Sequence, residues 1–402
     1  MTDAMTRRDL LHVAGGSIAA AGLPPSAALA QTGMEPNAIK RRGVGLRGHD
    51  PARAFQGFTL FTPSPPGNKT VYLIDMDGKV VHAWSMPYPP GNYGYLTPQG
   101  RLFYNGKIPD STHLGQSAFK GGAALEVDWN GKVLWEVRES GHHHDGVRLR
   151  NGNVLLVCSR VLPDELIKQV RGGRPGSEFD NGKMYGDYLV EMTTDGKVVW
   201  EWRAWEQLDP VKDPITFSMD ARDEWSHANG VSEMPDGNIL LSFRQISTVV
   251  MINRQTGAIY WKLGPPPLSG QHAPVMLENG NVLLFDNGPH RVDESLPYSR
   301  VLEIEPATKK IAWKYQEAIP TSFYSPRISN AQRLPNGNTL ICEGVYGRFF
   351  EVTHDGAVVW EYVNPYFGQR SPSTQKPETM VNQVFRAYRY SAAEIERARQ
   401  AT

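Results

Sequence analysis

Val71-Tyr72-Leu73-Ile74-Asp75-Met76-Asp77-Gly78-Lys79-Val80-Val81-His82-Ala83-Trp84 decides how this chain folds. Apolar side chains alternate on both sides of an Asp-x-Asp-Gly turn, and the second run closes on a tryptophan. Period-two alternation around a glycine turn reads as a β-hairpin. The same phrase returns at 123–135, 188–200, 249–261, 301–313 and 349–360, so that Trp84, Trp135, Trp200, Trp261, Trp313 and Trp360 lie 51, 65, 61, 52 and 47 residues apart. Only the fifth copy lacks the turn glycine and carries Lys309-Lys310 instead. Most copies are followed by a second hairpin, marked by Leu149-Arg150-Asn151-Gly152-Asn153-Val154-Leu155 and its counterparts at 234–240, 277–283 and 334–340, with a looser copy at 97–103.

Four strands per unit and a period of about 45–65 residues predict an all-β fold, a six-bladed β-propeller with four-stranded antiparallel blades. The sixth unit stops after one strand at 381–388, and Gly57-Phe58-Thr59-Leu60-Phe61-Thr62 resembles the strand it lacks. Pairing the two would close the ring and remove its free edges. The propeller domain is therefore placed at residues 56–391, after a polar linker at 31–55 and before a C-terminal tail at 392–402. Residues 1–30 read as an export signal. Thr6-Arg7-Arg8-Asp9-Leu10-Leu11 is a twin-arginine pattern, a short Ala/Gly-rich apolar run follows, and Ala28-Leu29-Ala30 is a small-x-small cleavage site. The mature protein is expected to be periplasmic or secreted, without a membrane span.

Composition narrows the function. The 402 residues hold 42 basic and 42 acidic side chains, and this zero net charge without a basic run argues against a nucleic-acid surface. With only Cys158 and Cys342, a disulfide framework and a thiolate metal cluster are excluded. No Walker loop, dinucleotide fingerprint, His-Glu-x-x-His, Cys-x-x-Cys or nucleophile elbow occurs.

The polar residues fall in register. Aligned on Gly152, Gly237, Gly280 and Gly337, the residues ten places earlier are His142, His227, Gly270 and Arg327, and those eight places earlier are His144, Asn229, His272 and Ser329. On an extended strand the two positions share a face. In a propeller, equivalent places from successive blades converge on the axis, which predicts a ring of imidazoles at one mouth of the channel. Strand parity favours His142 or His144 over His143. Arg244 interrupts an apolar strand seven residues after its turn glycine, and Asn287 holds the same slot one blade on. A charge in such a strand needs a partner or a ligand. Asn330, one place off the register, and Tyr93, with Tyr95 and Asn382, are further pocket candidates. An insertion at 203–226 with Trp205, Phe217 and Trp225 reads equally as an aromatic lid or a surface loop.

With its Trp hairpins, its export signal and the ordered set His227-Ala228-Asn229, Arg244, His272, the chain resembles the bacterial arylsulfate sulfotransferases over most of residues 56–391. The resemblance implies an exported six-bladed propeller that moves a sulfuryl group from a phenolic sulfate ester to a phenol by a ping-pong route, without a nucleotide donor. It implies that His272 is transiently sulfated, that His227, Asn229 and Arg244 hold the sulfuryl oxygens, and that the remaining histidine comes from the His142–His144 run. The partners are then a small aryl sulfate and a phenol, with no cofactor and no metal. No cysteine lies near His272, whereas better-known members carry a disulfide near the nucleophile. Two other readings use the same cluster: a metal- or histidine-dependent lyase or hydrolase, and a non-catalytic binding propeller.

Overall fold

A computed structural model describes residues 43–401, apart from Pro66, Ser111, Gln116, Asp180, Asn181, Val292 and residues 370–379. The twin-arginine segment at 1–30 lies outside the described residues. Six antiparallel sheets of four strands form the blades of a β-propeller. Blade 1 runs Pro90–Leu96, Leu102–Lys107, Gly122–Val127, Val133–Arg138, and blade 2 runs His142–Arg148, Val154–Val161, Tyr185–Met192, Val198–Arg203. Blade 3 is Ala228–Glu233, Ile239–Phe243, Thr248–Ile252, Ile259–Leu263, and blade 4 is His272–Met276, Val282–Asp286, Arg300–Glu305, Lys310–Tyr315. Blade 5 is Asn330–Arg333, Thr339–Glu343, Arg348–Val352, Val358–Val363.

Blade 6 joins the two ends of the domain. Its inner strand, Val384–Tyr390, pairs with Phe58–Pro63, in the register Phe58 opposite Tyr390 and Phe61 opposite Ala387, and Thr70–Ile74 and Val80–Ser85 complete it. Closure therefore uses the strand that its repeat pattern marked.

The recurring tryptophans have a mechanical role. Trp84 donates its indole N–H to Asp128 O (3.2 Å), Trp202 to Gly257 O (2.8 Å), Trp261 to Pro306 O (2.8 Å), Trp313 to His354 O (2.8 Å) and Trp360 to Met76 O (2.9 Å). Each bond runs from the outer strand of one blade to the outer hairpin of the next. A large apolar body with one polar tip suits such a staple. In blade 2 the staple is Trp202, two places beyond the Trp200 of the repeat. Trp135 bonds the Glu126 carboxylate of its own blade (2.9 Å).

Two terminal segments differ from expectation. Within the stretch 31–55, read as a linker, Gly45–His49 forms a fifth, outermost strand on blade 5 by pairing with Val358–Val363. A strand of Gly, Leu, Arg, Gly and His has no apolar alternation to betray it, so the edge it covers decides its conformation. The tail at 392–402 is mostly helix, Ala392–Gln400, started by a Ser391/Glu394 capping box and docked through buried Ile395 and Ala398 against blade-1 and blade-6 residues. The insertion at 203–226 is not a free lid. Trp225 is buried and bonded to Asp213 O (2.9 Å), and Phe217 stacks on His290. Cys158 and Cys342 are both buried, unpaired thiols in different blades.

The inner strands share a distortion. His144 (φ 53°), His227 (φ 55°, after Ser226 at 84°), Ala273 (φ 50°) and Ser329 (φ 88°, after Ile328 at 54°) lie near the entry of their strands in left-handed backbone, and Asn92 (φ 119°) is also positive. Register shifts accompany them at Pro90/Gly94, Leu156/Cys158, Ala228/Gly230 and His272/Val275. A bulge with a left-handed residue breaks the in–out alternation of a strand. It also gathers unusual side chains at one end of the ring.

Candidate functional site

Blades 2, 3, 4 and 6 bring a histidine cluster together. His144 lies edge-on to His227, with ring centres 4.5 Å apart, and Phe119 stacks on His144 at 4.3 Å. Phe385, from the inner strand of blade 6, stands edge-on to His272 at 6.3 Å. The charge of Arg244 acts on His144, His227 and His272 alike, so the guanidinium shares their pocket.

His272 is held at both nitrogens. Its Nδ1 lies 2.8 Å from Asn287 Oδ1 and 3.2 Å from Gly270 O, and its Nε2 lies 3.1 Å from the backbone N–H of Ile328. Two acceptors at Nδ1 and a donor at Nε2 place the ring proton on Nδ1 and the lone pair on Nε2. Asn287 completes the arrangement by donating Nδ2 to Ser325 O (2.7 Å) and Ile328 O (2.9 Å). It thus positions His272 rather than facing a substrate. Burial first, then the charge of Arg244, hold the His272 imidazole well below the usual histidine range, so it is neutral at pH 7.

His227 is the opposite case. Burial disfavours its cation, but the Glu224 carboxylate, 3.0 Å from Nδ1, outweighs that and raises its pKa. Glu224 is itself held below the ordinary carboxylate range: burial opposes this, and the attraction of the His227 charge prevails. Arg244 is tied by one arm to Asp220 Oδ2 (3.1 Å), which also lies 3.0 Å from His290 Nε2. Both carboxylates come from the 203–226 insertion, whose contribution to the site is therefore anionic.

The His142–His144 run resolves differently from strand parity. His142 accepts the N–H of Gly122 at Nδ1 (3.1 Å) and reaches Asp145 O with Nε2 (3.2 Å); burial drives its pKa down to about 3. It is a neutral structural residue outside the cluster. His143, which parity excluded, belongs to it: its Nδ1 meets His144 Nδ1 at 2.6 Å, and its Nε2 lies 3.1 Å from Asp187 Oδ1. The cause is the left-handed turn at His144, which resets the alternation. At the Asp187, Glu224 and Asp220 contacts the ring nitrogens are close to the carboxylates but off the line of a good hydrogen bond, so the attraction there is chiefly electrostatic.

Asn229 lies fully buried, with Nδ2 on the carbonyl of Gln271, the residue before His272 (2.8 Å), and Oδ1 without a partner among the described residues. Asn330 does not reach the pocket. Its amide brackets Ala387 (Nδ2 to O and N to Oδ1, both 3.0 Å) and sews blade 5 to blade 6. Tyr93 is buried in an axial knot. Arg386 donates to Tyr93 Oη (2.7 Å), Asp145 Oδ2 (2.8 Å) and Asn229 O (3.3 Å), while Tyr93 bonds Asp145 Oδ1. Tyr95 accepts the backbone N–H of Arg148 (2.8 Å), and Asn382 pairs reciprocally with Asn364. The knot joins blades 1, 2, 3 and 6, and Arg386 adds positive charge near His272. Arg386 carried the same signal as Arg244, a charge inside an apolar strand. Asp187, Asp220 and Glu224 carried none. Among the described residues, no group of three or more His, Cys, Asp or Glu is arranged to hold a metal ion.

A family model described as arylsulfotransferase (ASST) matches residues 51–268 and 267–389. The arylsulfate sulfotransferase AssT of Escherichia coli O6:H1 is 22% identical over 369 residues, covering 70% of this chain and 58% of that protein. The chain therefore spans somewhat over half of that relative's length. Among solved structures, a Bacteroides caccae protein of unknown function has a TM-score of 0.49 at 13% identity, covering 83% of this chain and 98% of its own. A streptogramin B lyase has 0.45 at 12%, covering 81% and 85%. Neither likeness bears on chemistry.

Proposed function

The chain belongs to the arylsulfotransferase family, and from that premise we propose that it transfers a sulfuryl group from an aryl sulfate ester to a phenol through a sulfated His272. The observation that carries the reading is the fixed tautomer of His272, with Nδ1–H on Asn287 and the lone pair on Nε2. Sulfuryl transfer, like phosphoryl transfer, passes a trigonal group in line between two atoms and needs a nucleophile and fixed donors more than covalent chemistry from the protein. His272 Nε2 attacks sulfur, the ester S–O bond breaks, and the phenolate leaves with its electron pair. The ring gains positive charge as the N–S bond forms, and Asn287 Oδ1 and Gly270 O already accept its Nδ1–H. Attack draws the lone pair away from the Ile328 N–H, which is then at hand for a sulfuryl oxygen. Arg244, anchored by Asp220, and His227, whose cation Glu224 favours, supply the charged donors. Phe119 and Phe385 provide faces against which a phenol ring can pack. In the second half a phenol oxygen attacks sulfur and the N–S bond breaks. We further propose that the twin-arginine segment exports the protein to the periplasm or beyond; among the described residues no helix is long and apolar enough to cross a membrane.

The test is covalent. Protein mixed with 4-nitrophenyl sulfate is followed for nitrophenolate release and weighed intact under basic conditions that preserve an N–S bond. A burst with an added sulfuryl mass, absent from His272→Ala and discharged by phenol, is expected. No release and no adduct across a panel of aryl sulfates would refute the proposal.

A further inference from the structure

Behind His144 lies an arrangement that the transfer reading does not yet use. Asp187 is buried and held by Ser226 Oγ (2.5 Å) and the Ala228 N–H (2.9 Å), with its other oxygen 3.1 Å from His143 Nε2. His143 and His144 then meet nitrogen to nitrogen at 2.6 Å, a distance that requires one proton between them. A carboxylate repels a lone pair and attracts an N–H, so in neutral His143 the proton sits on Nε2 and Nδ1 is an acceptor. With His143 in that form, His144 Nδ1 donates, which leaves the lone pair of His144 on Nε2. That nitrogen has no protein partner among the described residues. The ring itself is pinned: its backbone N–H bonds Phe119 O (2.9 Å), its carbonyl accepts Asn92 Nδ2 (2.9 Å), and Phe119 covers one face.

We propose that His144 Nε2 is the base that takes the proton of the acceptor phenol, and that His143 and Asp187 are positioning residues that fix its tautomer and share its positive charge. The inference rests on the sulfuryl-transfer reading and deepens it. In the step, the phenol O–H gives its proton to His144 Nε2. The phenol oxygen forms the S–O bond, and the His272 N–S bond breaks with its electron pair returning to Nε2. The His144 cation shifts its Nδ1 proton toward His143, whose Nε2–H faces Asp187. In the next donor half-reaction the proton returns to the departing phenolate, so none is gained or lost over a cycle.

The physical need is clear from the surroundings. Burial first, then the charges of His227, His143, His272 and Arg244, oppose a cation on His144. An isolated imidazole there would be a poor base. Glu224, His113 and His142 lie near His143, together with the buried Lys120, whose backbone bridges it. Of these, Glu224 is the acidic one, and it is engaged by His227. Asp187 is thus the anion that touches the His143–His144 pair.

The experiment separates the two half-reactions in the full chain, using Asp187→Asn and His143→Gln. Nitrophenolate is a good leaving group that needs little protonation, whereas a weakly acidic phenol must lose its proton to attack. The expected result is that discharge of the His272 adduct to such a phenol slows about 10²-fold more than the nitrophenolate burst. Discharge should recover toward nitro-substituted phenols and at higher pH, where the acceptor is already phenolate. Equal loss in both halves, or unaltered discharge, would overturn the proposal. ¹⁵N-histidine NMR of the wild-type protein supplies a readout independent of variant folding. His144 should carry its proton on Nδ1, and a proton on Nε2 would overturn the assignment. Absence of any adduct in wild-type protein would instead overturn the transfer reading.

Discussion

Replacing Glu224 with glutamine keeps the side chain's shape and removes the charge that raises the pKa of His227. The two partners are 3.0 Å apart, with side chains 11% and 14% exposed. At an effective dielectric constant of about 20 their full Coulomb attraction would be roughly 5 kcal/mol, an upper bound before solvation is charged against it. Opposite charges at this range move a titration midpoint by about 1–3 pH units. In the variant, burial and the Arg244 charge remain and both act against the cation. The His227 midpoint should therefore fall from above to below the ordinary histidine value. Histidine NMR titration reads this directly. Loss of one charged donor to the sulfuryl oxygens should lower kcat/KM at pH 7 by about 10- to 10²-fold. The alkaline limb of the kcat/KM profile should move to lower pH by the same interval. Stability follows the same linkage. A raised histidine pKa stabilises the wild type fully below about pH 6.5, and the contribution is lost as pH rises through the folded midpoint. The depressed Glu224 contributes above its unfolded pKa and fails as pH falls through its folded one. The variant should thus lose more stability at pH 6 than at pH 9. An alkaline limb that stays in place would refute the argument that Glu224 sets the charge of His227.

Other consequences are equally open to measurement. Asn287→Ala removes the nearer acceptor from His272 Nδ1; at about 1 kcal/mol for one hydrogen bond the tautomer bias should drop about fivefold, visible as a mixed ¹⁵N pattern and a slower donor burst. Arg386→Met leaves Asp145 buried without its cation and should cost about 3–5 kcal/mol in denaturant unfolding, with the loss largely recovered in Arg386→Met/Asp145→Leu. Trp313→Phe deletes the staple to His354 O and should lower stability by about 0.5–1.5 kcal/mol without altering sulfation of His272.

Much of this architecture was readable from local pattern. Alternation around Gly78 and its repeats specifies hairpins because strand sidedness is a two-residue property, and the fragment 57–62 announced its pairing with the C-terminal strand by resembling the member its unit lacked. His227, Asn229 and His272 stood out because they share a register and a strand face ahead of the turn glycines, and Arg244 because a charge in an apolar strand needs an explanation. What misled was the same rule pushed one step too far. It placed His142 with His144 and set His143 aside, because alternation was carried across a residue that turns left-handed. Nothing local announces that turn, since non-glycine residues hold it there.

Asn330 and Tyr93 show the same limit. Both occupy inner-strand positions from which a pocket was expected, yet one laces two blades together and the other is locked beneath the site by Arg386 and Asp145. The sequence by itself determined six repeats, their closure and the His144, His227, Arg244 and His272 members of the cluster, since each depends on patterns a few residues long. Only the tertiary structure decided which nitrogen of His272 carries the lone pair and in which direction burial and neighbouring charges shift His272 and His227. It also decided which carboxylates stand behind them. Asp187, Asp220 and Glu224 come from a third strand and a non-repeating insertion, and their effect on an imidazole depends on a distance of about 3 Å set by the closing of the ring.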